Sequence, residues 1–269
     1  MIIPAIAVSL AIIMVLWFTV TRSFLVPPKK GLPILMYHKV ATTGADGLTI
    51  PAVELGQQFR YIREKGYHTL FFGEVAALLR AKQPLPARAL VITFDDAYRS
   101  FHTHALPLLE KYNLKATVFV PVGHMGGTNA WDRGNDPVMP AEELGLIMKG
   151  GLVETGLHSF AHRNYREMSL QEMKEDLEKC ATALTACNLP FARVLAYPYG
   201  GYPKKDAARL AQMKAMFRET GLDFALRIGN RINPLPLKEP YLVKRIDIKG
   251  TDSFATFRIK LSKGRKKLF

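Results

Sequence analysis

The chain has 269 residues, of which 48% are hydrophobic, and carries a formal net charge of +14. That length suffices to bury one large core, roughly 200–250 residues being usual for a single α/β barrel, so one catalytic domain is expected rather than several. The basic balance favours an anionic neighbour, such as a membrane surface or a lipid-linked sugar phosphate. No nucleic-acid motif accompanies it, and no nucleic-acid partner is expected.

In chain order, the first element is Ile2 to Val20, an apolar run without a charged residue. Its length of about 20 residues matches one helical crossing of a bilayer core. Trp17 lies near one end and Arg22, Lys29 and Lys30 follow, a pattern that fits a membrane interface better than a buried core helix. Thr21 to Pro28 offers no small-x-small cleavage site, so residues 1–26 are read as a retained transmembrane anchor rather than a cleaved signal peptide. Counting Arg22, Lys29 and Lys30 by the positive-inside rule places the following domain on the cytoplasmic face.

From residue 33, short apolar runs alternate with longer amphipathic segments, the pattern of repeated β/α units around a parallel sheet. Strands are predicted at Pro33–Tyr37, Leu90–Phe94, Ala116–Val120, Leu152–Leu157, Val194–Tyr197 and Phe224–Ile228. Helical spacing occupies Val53–Lys65, Gly73–Ala81, Ala105–Tyr112, Ala141–Lys149 and Leu170–Cys187. Residues 31–250 form the expected catalytic domain. Residues 251–269 are expected to be a basic tail, with Lys260, Lys263, Arg265, Lys266 and Lys267 either solvated or touching anionic lipid head groups. Cys180 and Cys187 lie two helical turns apart, roughly 10 Å along the axis, too far for an easy disulfide.

The chemistry-bearing residues follow the predicted strands directly. His38 comes after the first, Asp95 and Asp96 after the second, His158 after the fourth and Tyr199 after the fifth. In a β/α barrel the C-terminal strand ends converge on one rim, where residues distant in sequence can meet. The run Val91-Ile92-Thr93-Phe94-Asp95-Asp96 delivers two adjacent carboxylates to such an end and reads as an active site. His158 and His162, spaced i, i+4, could present two imidazoles on one face of a helical turn. Asp96 completes a two-histidine, one-aspartate set with positions left for water and substrate, as a catalytic zinc site requires. Were Asp95 a ligand as well, nothing nearby would accept a proton from the attacking water; Asp95 is therefore assigned as general base. Zinc suits this N/O donor set, with cobalt, nickel or manganese as alternatives. Ser159 is placed to hydrogen-bond and orient a ligand histidine.

These segments, with Tyr197-Pro198-Tyr199-Gly200, resemble the polysaccharide deacetylase family, also called the NodB-homology or carbohydrate esterase 4 family. The resemblance runs from about Leu32 to Ile248. It implies a distorted (β/α) barrel of the NodB-homology type, preceded here by the one N-terminal transmembrane helix. It also implies a metal-dependent hydrolase that removes N-acetyl groups from amino sugars of a polysaccharide or lipid-linked saccharide. The first aspartate of Thr-Phe-Asp-Asp-Gly is the base in the family and the second a ligand; Ala97 stands here in place of glycine, which a negative φ would tolerate. The backbone N–H of Tyr199 corresponds to the oxyanion donor, with Pro198 stiffening the turn and Gly200 and Gly201 permitting close approach.

Two departures matter. The usual late histidine acid is missing, and Ile34-Leu35-Met36-Tyr37-His38 looks instead like the circularly permuted branch of exopolysaccharide poly-N-acetylglucosamine deacetylases, which implies His38 as the acid. Ala196 replaces the arginine that usually holds the base, and Arg245 is the candidate substitute. Many relatives work outside the inner membrane, which argues for an extracytoplasmic domain against the charge count. O-deacetylation, sugar deformylation and a non-catalytic glycan-binding role are the competing readings. Trp131 and Asp132 are expected in a substrate loop.

Overall fold

Residues 28–132 and 134–264 are described by the structure, a computed structural model. The anchor expected over residues 1–26 lies outside them. Among the described residues no helix is long and apolar enough to cross a membrane.

The chain begins with β1 (Ile34–Tyr37), the short pair β2 (Lys39–Ala41) and β3 (Thr49–Pro51), and helix α1 (Ala52–Glu64). Then come β4 (His68–Thr69), α2 (Phe72–Arg80), β5 (Ala89–Phe94), and a π turn, Phe101–Ala105, that runs into α3 (Leu106–Tyr112). The middle of the chain supplies β6 (Ala116–Val120), α4 (Ala141–Met148), β7 (Val153–Leu157) and α5 (Leu170–Ala186). It ends with β8 (Val194–Ala196), α6 (Ala207–Glu219), β9 (Phe224–Ile228), β10 (Val243–Asp247) and α7 (Phe254–Lys263).

Seven parallel strands close into a barrel in the order β1, β10, β9, β8, β7, β6, β5, with β5 pairing back to β1 and β4 attached beside β5. Strands buried on both faces read as continuous apolar runs, which is why Ala89–Phe94 shows no polar alternation. Ile34, Val91, Phe119, Leu226 and Val243 fill the interior together with Phe72, Val75 and Ala76 of α2. Leu32, Ala89, Val194, Phe224 and Val243 of this cluster stand at strand starts, so α2 seals the N-terminal end of the barrel. Glu154 on β7 holds it there, its carboxylate accepting the Phe72 and Gly73 N–H groups at the helix start. A second cluster packs the outer helices, including Phe59, Leu109, Cys180 and Phe217, against the outward side chains of the barrel.

Three elements depart from expectation. β10 completes the barrel, although Val243–Asp247 carries Lys244, Arg245 and Asp247 and lacks the apolar continuity of its neighbours. α6 is weakly amphipathic, burying only Met213 and Phe217 along its length. Most of the segment read as a basic tail is folded: Ser253 caps α7 by accepting the Thr256 N–H, and Phe257 and Leu261 are buried against the barrel. Lys260 is spent on the Asp247 carbonyl, at 2.7 Å, and the Asp252 carboxylate. Arg265, Lys266 and Lys267 lie outside the described residues. Both cysteines are free, Cys180 in the core and Cys187 exposed.

Candidate active site

Strand register builds the first half of the site. Tyr37 sits beside Phe94 in the β1–β5 ladder, and the Asp95 N–H donates to the Tyr37 carbonyl. The next residue of each strand, His38 and Asp95, therefore emerges at the same rim, with His38 Nε2 3.8 Å from Asp95 Oδ2. Arg245 reaches the same carboxylate from β10. Its Nη1 and Nη2 donate to Asp95 Oδ1 and Oδ2 at 2.5 and 2.7 Å, Nη1 also meets Thr93 Oγ1, and the guanidinium lies 5.4 Å over the Phe119 ring. Both partners are almost fully buried. Burial pushes the Asp95 pKa up, but the Arg245 charge, with His158 and His38 adding, brings it below the usual carboxylate range.

Asp96, His158 and His162 are all buried, and one potential ligand atom from each falls within 4.8 Å of the others. His158 directly follows β7, and its Nδ1 pairs with the Ala196 carbonyl at 2.8 Å. That bond makes Nδ1 the protonated nitrogen, so Nε2 of the neutral ring carries a lone pair. Nε2 of His158 and of His162 face Asp96 Oδ1 at 3.3 and 3.2 Å, and that oxygen has no hydrogen-bond partner of its own. Two imidazole nitrogens, one of them fixed as a lone-pair donor, converging on a buried and unpartnered carboxylate oxygen call for a cation, so the donor set fits a divalent metal. Without one, the Asp95 and Asp96 charges outweigh the effect of burial and raise the His158 pKa. His162 moves the other way, burial lowering it against the pull of Asp96. Asp96 itself is held well below its ordinary value, its burial outweighed by the two imidazoles that face it and by His38.

These groups line one cavity of about 380 Å³ with Tyr199, Gly200, Trp131 and Asp132 on its rim. Pro198 to Gly200 form a 3-10 turn with Tyr199 at φ 57° and Gly200 at φ 62°. Gly200 permits that turn beside Ile228, which a Cβ would meet at 3.2 Å. The Tyr199 ring is 60% exposed and packs edge-on to His162 at 4.7 Å.

Three expectations are corrected. His158 and His162 are not on a helical turn: one directly follows a strand, and the other sits in a loop at φ 52°. Ala97 adopts φ 49°, the left-handed conformation, so its methyl group sits where glycine would be unstrained. Ser159 contacts no imidazole; its hydroxyl donates to Asp176 Oδ1 at 2.8 Å and accepts the Arg163 N–H. Asp176, buried on α5, went unrecognised in the sequence because a single acid on an amphipathic helix looks like a solvated face. It also accepts the Phe160 N–H and the Tyr165 hydroxyl, fastening the loop between the two histidines. Tyr98 was missed too. Burial and the Asp96 charge keep its hydroxyl protonated, and that hydroxyl accepts the Asn129 Nδ2–H at 3.3 Å. Its position two residues after Asp96 was the available signal.

Comparison with known proteins agrees with this geometry. The profile of the family described as Polysaccharide deacetylase matches residues 82–217. The poly-beta-1,6-N-acetyl-D-glucosamine N-deacetylase of Escherichia coli K12 is 34% identical over 105 residues, 38% of this chain and 16% of that protein. The protein of the same name from Staphylococcus aureus MRSA252 is 30% identical over 129 residues, 45% of this chain and 43% of that one. The chain thus spans less than half the length of either relative. Among solved structures, IcaB from Ammonifex degensii superposes with a TM-score of 0.72 at 22% identity, covering 89% of this chain and 99% of that one. A de-N-acetylase from Aggregatibacter actinomycetemcomitans gives 0.71 at 17% identity, covering 86% and 100%. These two likenesses establish the barrel architecture. The profile match takes in just over half of the chain, with Asp95, Asp96, His158, His162 and Tyr199 inside it, and the protein belongs to the polysaccharide deacetylase family.

Proposed function

We propose that this chain is a metal-dependent N-deacetylase that hydrolyses the acetamide of amino sugars in a polysaccharide or lipid-linked saccharide. The observation that carries the reading is Asp95 gripped through both oxygens by Arg245, directly beside the buried Asp96, His158 and His162 set. A divalent cation, zinc first and cobalt, nickel or manganese as alternatives, would be held by Asp96, His158 and His162 and would polarise the acetyl carbonyl.

Asp95 is the base. Its carboxylate stays ionised at neutral pH and accepts a proton from the water that attacks the carbonyl carbon, while Arg245 keeps it from rotating away. The oxyanion that forms is served by the Tyr199 backbone N–H, on a turn whose rigidity comes from Pro198 and whose close approach comes from Gly200. His38, 3.8 Å from Asp95, supplies a proton to the departing amine as the C–N bond breaks and acetate leaves. The relatives named poly-beta-1,6-N-acetyl-D-glucosamine N-deacetylase support the N-acetylglucosamine polymer as first substrate to try. For location, the apolar run Ile2–Val20 supports a membrane anchor, and we place the domain outside the inner membrane, with the cytoplasmic face as the alternative.

The test is acetate release from N-acetylglucosamine oligomers by the full chain in detergent, metal-stripped and then resupplied with zinc, beside Asp95→Asn. Release restored by zinc and lowered about 100-fold or more in the variant is expected. Release that survives chelation, or that Asp95→Asn leaves intact, would sink the assignment.

A further inference from the structure

His158 has a hydrogen-bond partner for the nitrogen that faces away from Asp96, but His162 has none. Its Nδ1 is buried and unpartnered. Metal-bound imidazoles ordinarily donate that second N–H to a carboxylate or carbonyl, which fixes the ring's direction. Around His162 the constraint is aromatic instead. The Trp131 ring lies flat against the imidazole, with centroids 4.6 Å apart and planes 19° apart, while Tyr199 and His158 meet it edge-on.

Trp131 is in turn tightly placed. Two residues before it stands Asn129, fully buried, whose side chain is the hub of the segment. Asn129 Nδ2 donates to the Tyr98 hydroxyl at 3.3 Å and to Asp136 Oδ2 at 3.4 Å, and Asn129 Oδ1 accepts the Asp136 N–H at 2.9 Å. The Asn129 carbonyl accepts the Asp132 N–H, closing the turn that carries the indole. Lys39, next to His38, donates to Asp136 at 3.1 Å and lies 5.5 Å over the Tyr98 ring. Tyr98 completes the circuit through its ring, which meets the Trp131 indole with centroids 6.5 Å apart. One buried amide therefore braces the turn that carries the indole lying on His162.

We propose that Trp131, Tyr98 and Asn129 form a positioning unit of the metal centre, in which indole stacking on His162 replaces the missing hydrogen bond and Asn129 with Tyr98 holds the indole in place. The proposal rests on the reading of Asp96, His158 and His162 as metal ligands. Trp131 borders the cavity, so it is a positioning residue as well as part of the wall. Losing the indole frees the His162 ring to turn, and the lone pair of Nε2 no longer points at the metal position by default. Losing the Tyr98 hydroxyl leaves Asn129 Nδ2 with Asp136 alone and loosens the turn that carries the indole.

The experiment uses the full chain in detergent, stripped of metal and titrated with Co2+ against a chromogenic chelator, with the visible Co2+ absorption recorded for each protein. Trp131→Ala is expected to weaken Co2+ binding about 10–100-fold and to alter the absorption band, Trp131→Phe to recover most of both, and Tyr98→Phe to weaken binding about 10-fold. Thermal melting of the metal-free variants shows that each is folded. Unchanged Co2+ affinity and spectrum in Trp131→Ala, with only KM for the glycan raised, overturns the proposal and leaves Trp131 as a sugar-stacking wall. Failure of Trp131→Phe to recover affinity also overturns it. A parent protein that takes up no Co2+ overturns the metal reading itself, a different result from a parent that binds and a variant that binds equally well.

Discussion

Asp95 shows how a single side chain is shaped by its neighbours. Burial alone would favour the protonated acid, and the bidentate grip of Arg245 is what keeps a carboxylate in a dry site. Lysine is a point charge and cannot span both oxygens. Arg245→Lys should lower kcat/KM about 100-fold through misplacement of the base. Because the arginine depresses the Asp95 pKa, weakening that contact moves the acid limb of the kcat/KM profile to higher pH; an unmoved limb would mean that another group sets the ionisation. Ala97 offers a second test at this scale. A Cβ in the left-handed region costs about 1–2 kcal/mol, and the buried methyl returns about 0.8 kcal/mol. Ala97→Gly should therefore raise stability by about 1 kcal/mol or less in urea unfolding while retaining activity. Of these residues, the paired acids, His158 and His38 were legible from their places after strands, and His162 only from its spacing to His158. Tyr98, Asn129 and Asp176 were not, since each acts only through a partner distant in the chain.

Helix α5 shows how an element far from the cavity serves it. Ser169 and Glu172 cap its start reciprocally, and Glu172 also takes Arg163 from the end of the histidine loop. One turn on, Asp176 fastens that loop through three donors. The Ser169 N–H, followed by the Arg163 and Ser169 side chains, lowers the Glu172 pKa from the ordinary 4.5 to about 2. A carboxylate with a depressed folded pKa contributes stability above its unfolded value and loses that contribution as pH falls toward the folded one. Melting temperature should thus drop between about pH 4.5 and pH 2 partly through Glu172, and Glu172→Gln should show a shallower decline that meets the parent curve near pH 2. Parallel curves would place the acid sensitivity elsewhere. The elements with strong periodicity, such as α5 and β5, were readable in advance. β10 and α7 were not, because a strand carrying Arg245 and a helix rich in lysine look polar until the barrel provides the Asp95 and Asp247 groups they meet.

Closure of the barrel is what assembles the site. His38 on the rim of β1 and Arg245 on β10 lie outside the profile match, yet β1 pairs with both β5 and β10, so barrel closure brings both side chains to Asp95. The Lys29 N–H donates to the Ser262 carbonyl at the end of α7, and the chain then enters β1 at the N-terminal end of the barrel. Lys29 therefore lies toward the pole opposite the cavity. Metal held by three buried groups binds the folded chain alone. At a hundred times its dissociation constant, zinc should stabilise the protein by about 2.7 kcal/mol, visible as a rise of several degrees in melting temperature. Asp96→Ala should abolish that rise; a rise that persists would place the metal elsewhere. The sequence by itself determined the repeated β/α architecture and which acids and imidazoles stand at strand ends, because strand periodicity and the adjacency of Asp95 to Asp96 are local properties. Only the tertiary structure decided that Arg245 serves Asp95, that Asp176 rather than a histidine receives Ser159, and that Trp131 lies on His162. Those contacts join segments far apart in the chain, and their geometry depends on the register at which seven strands close.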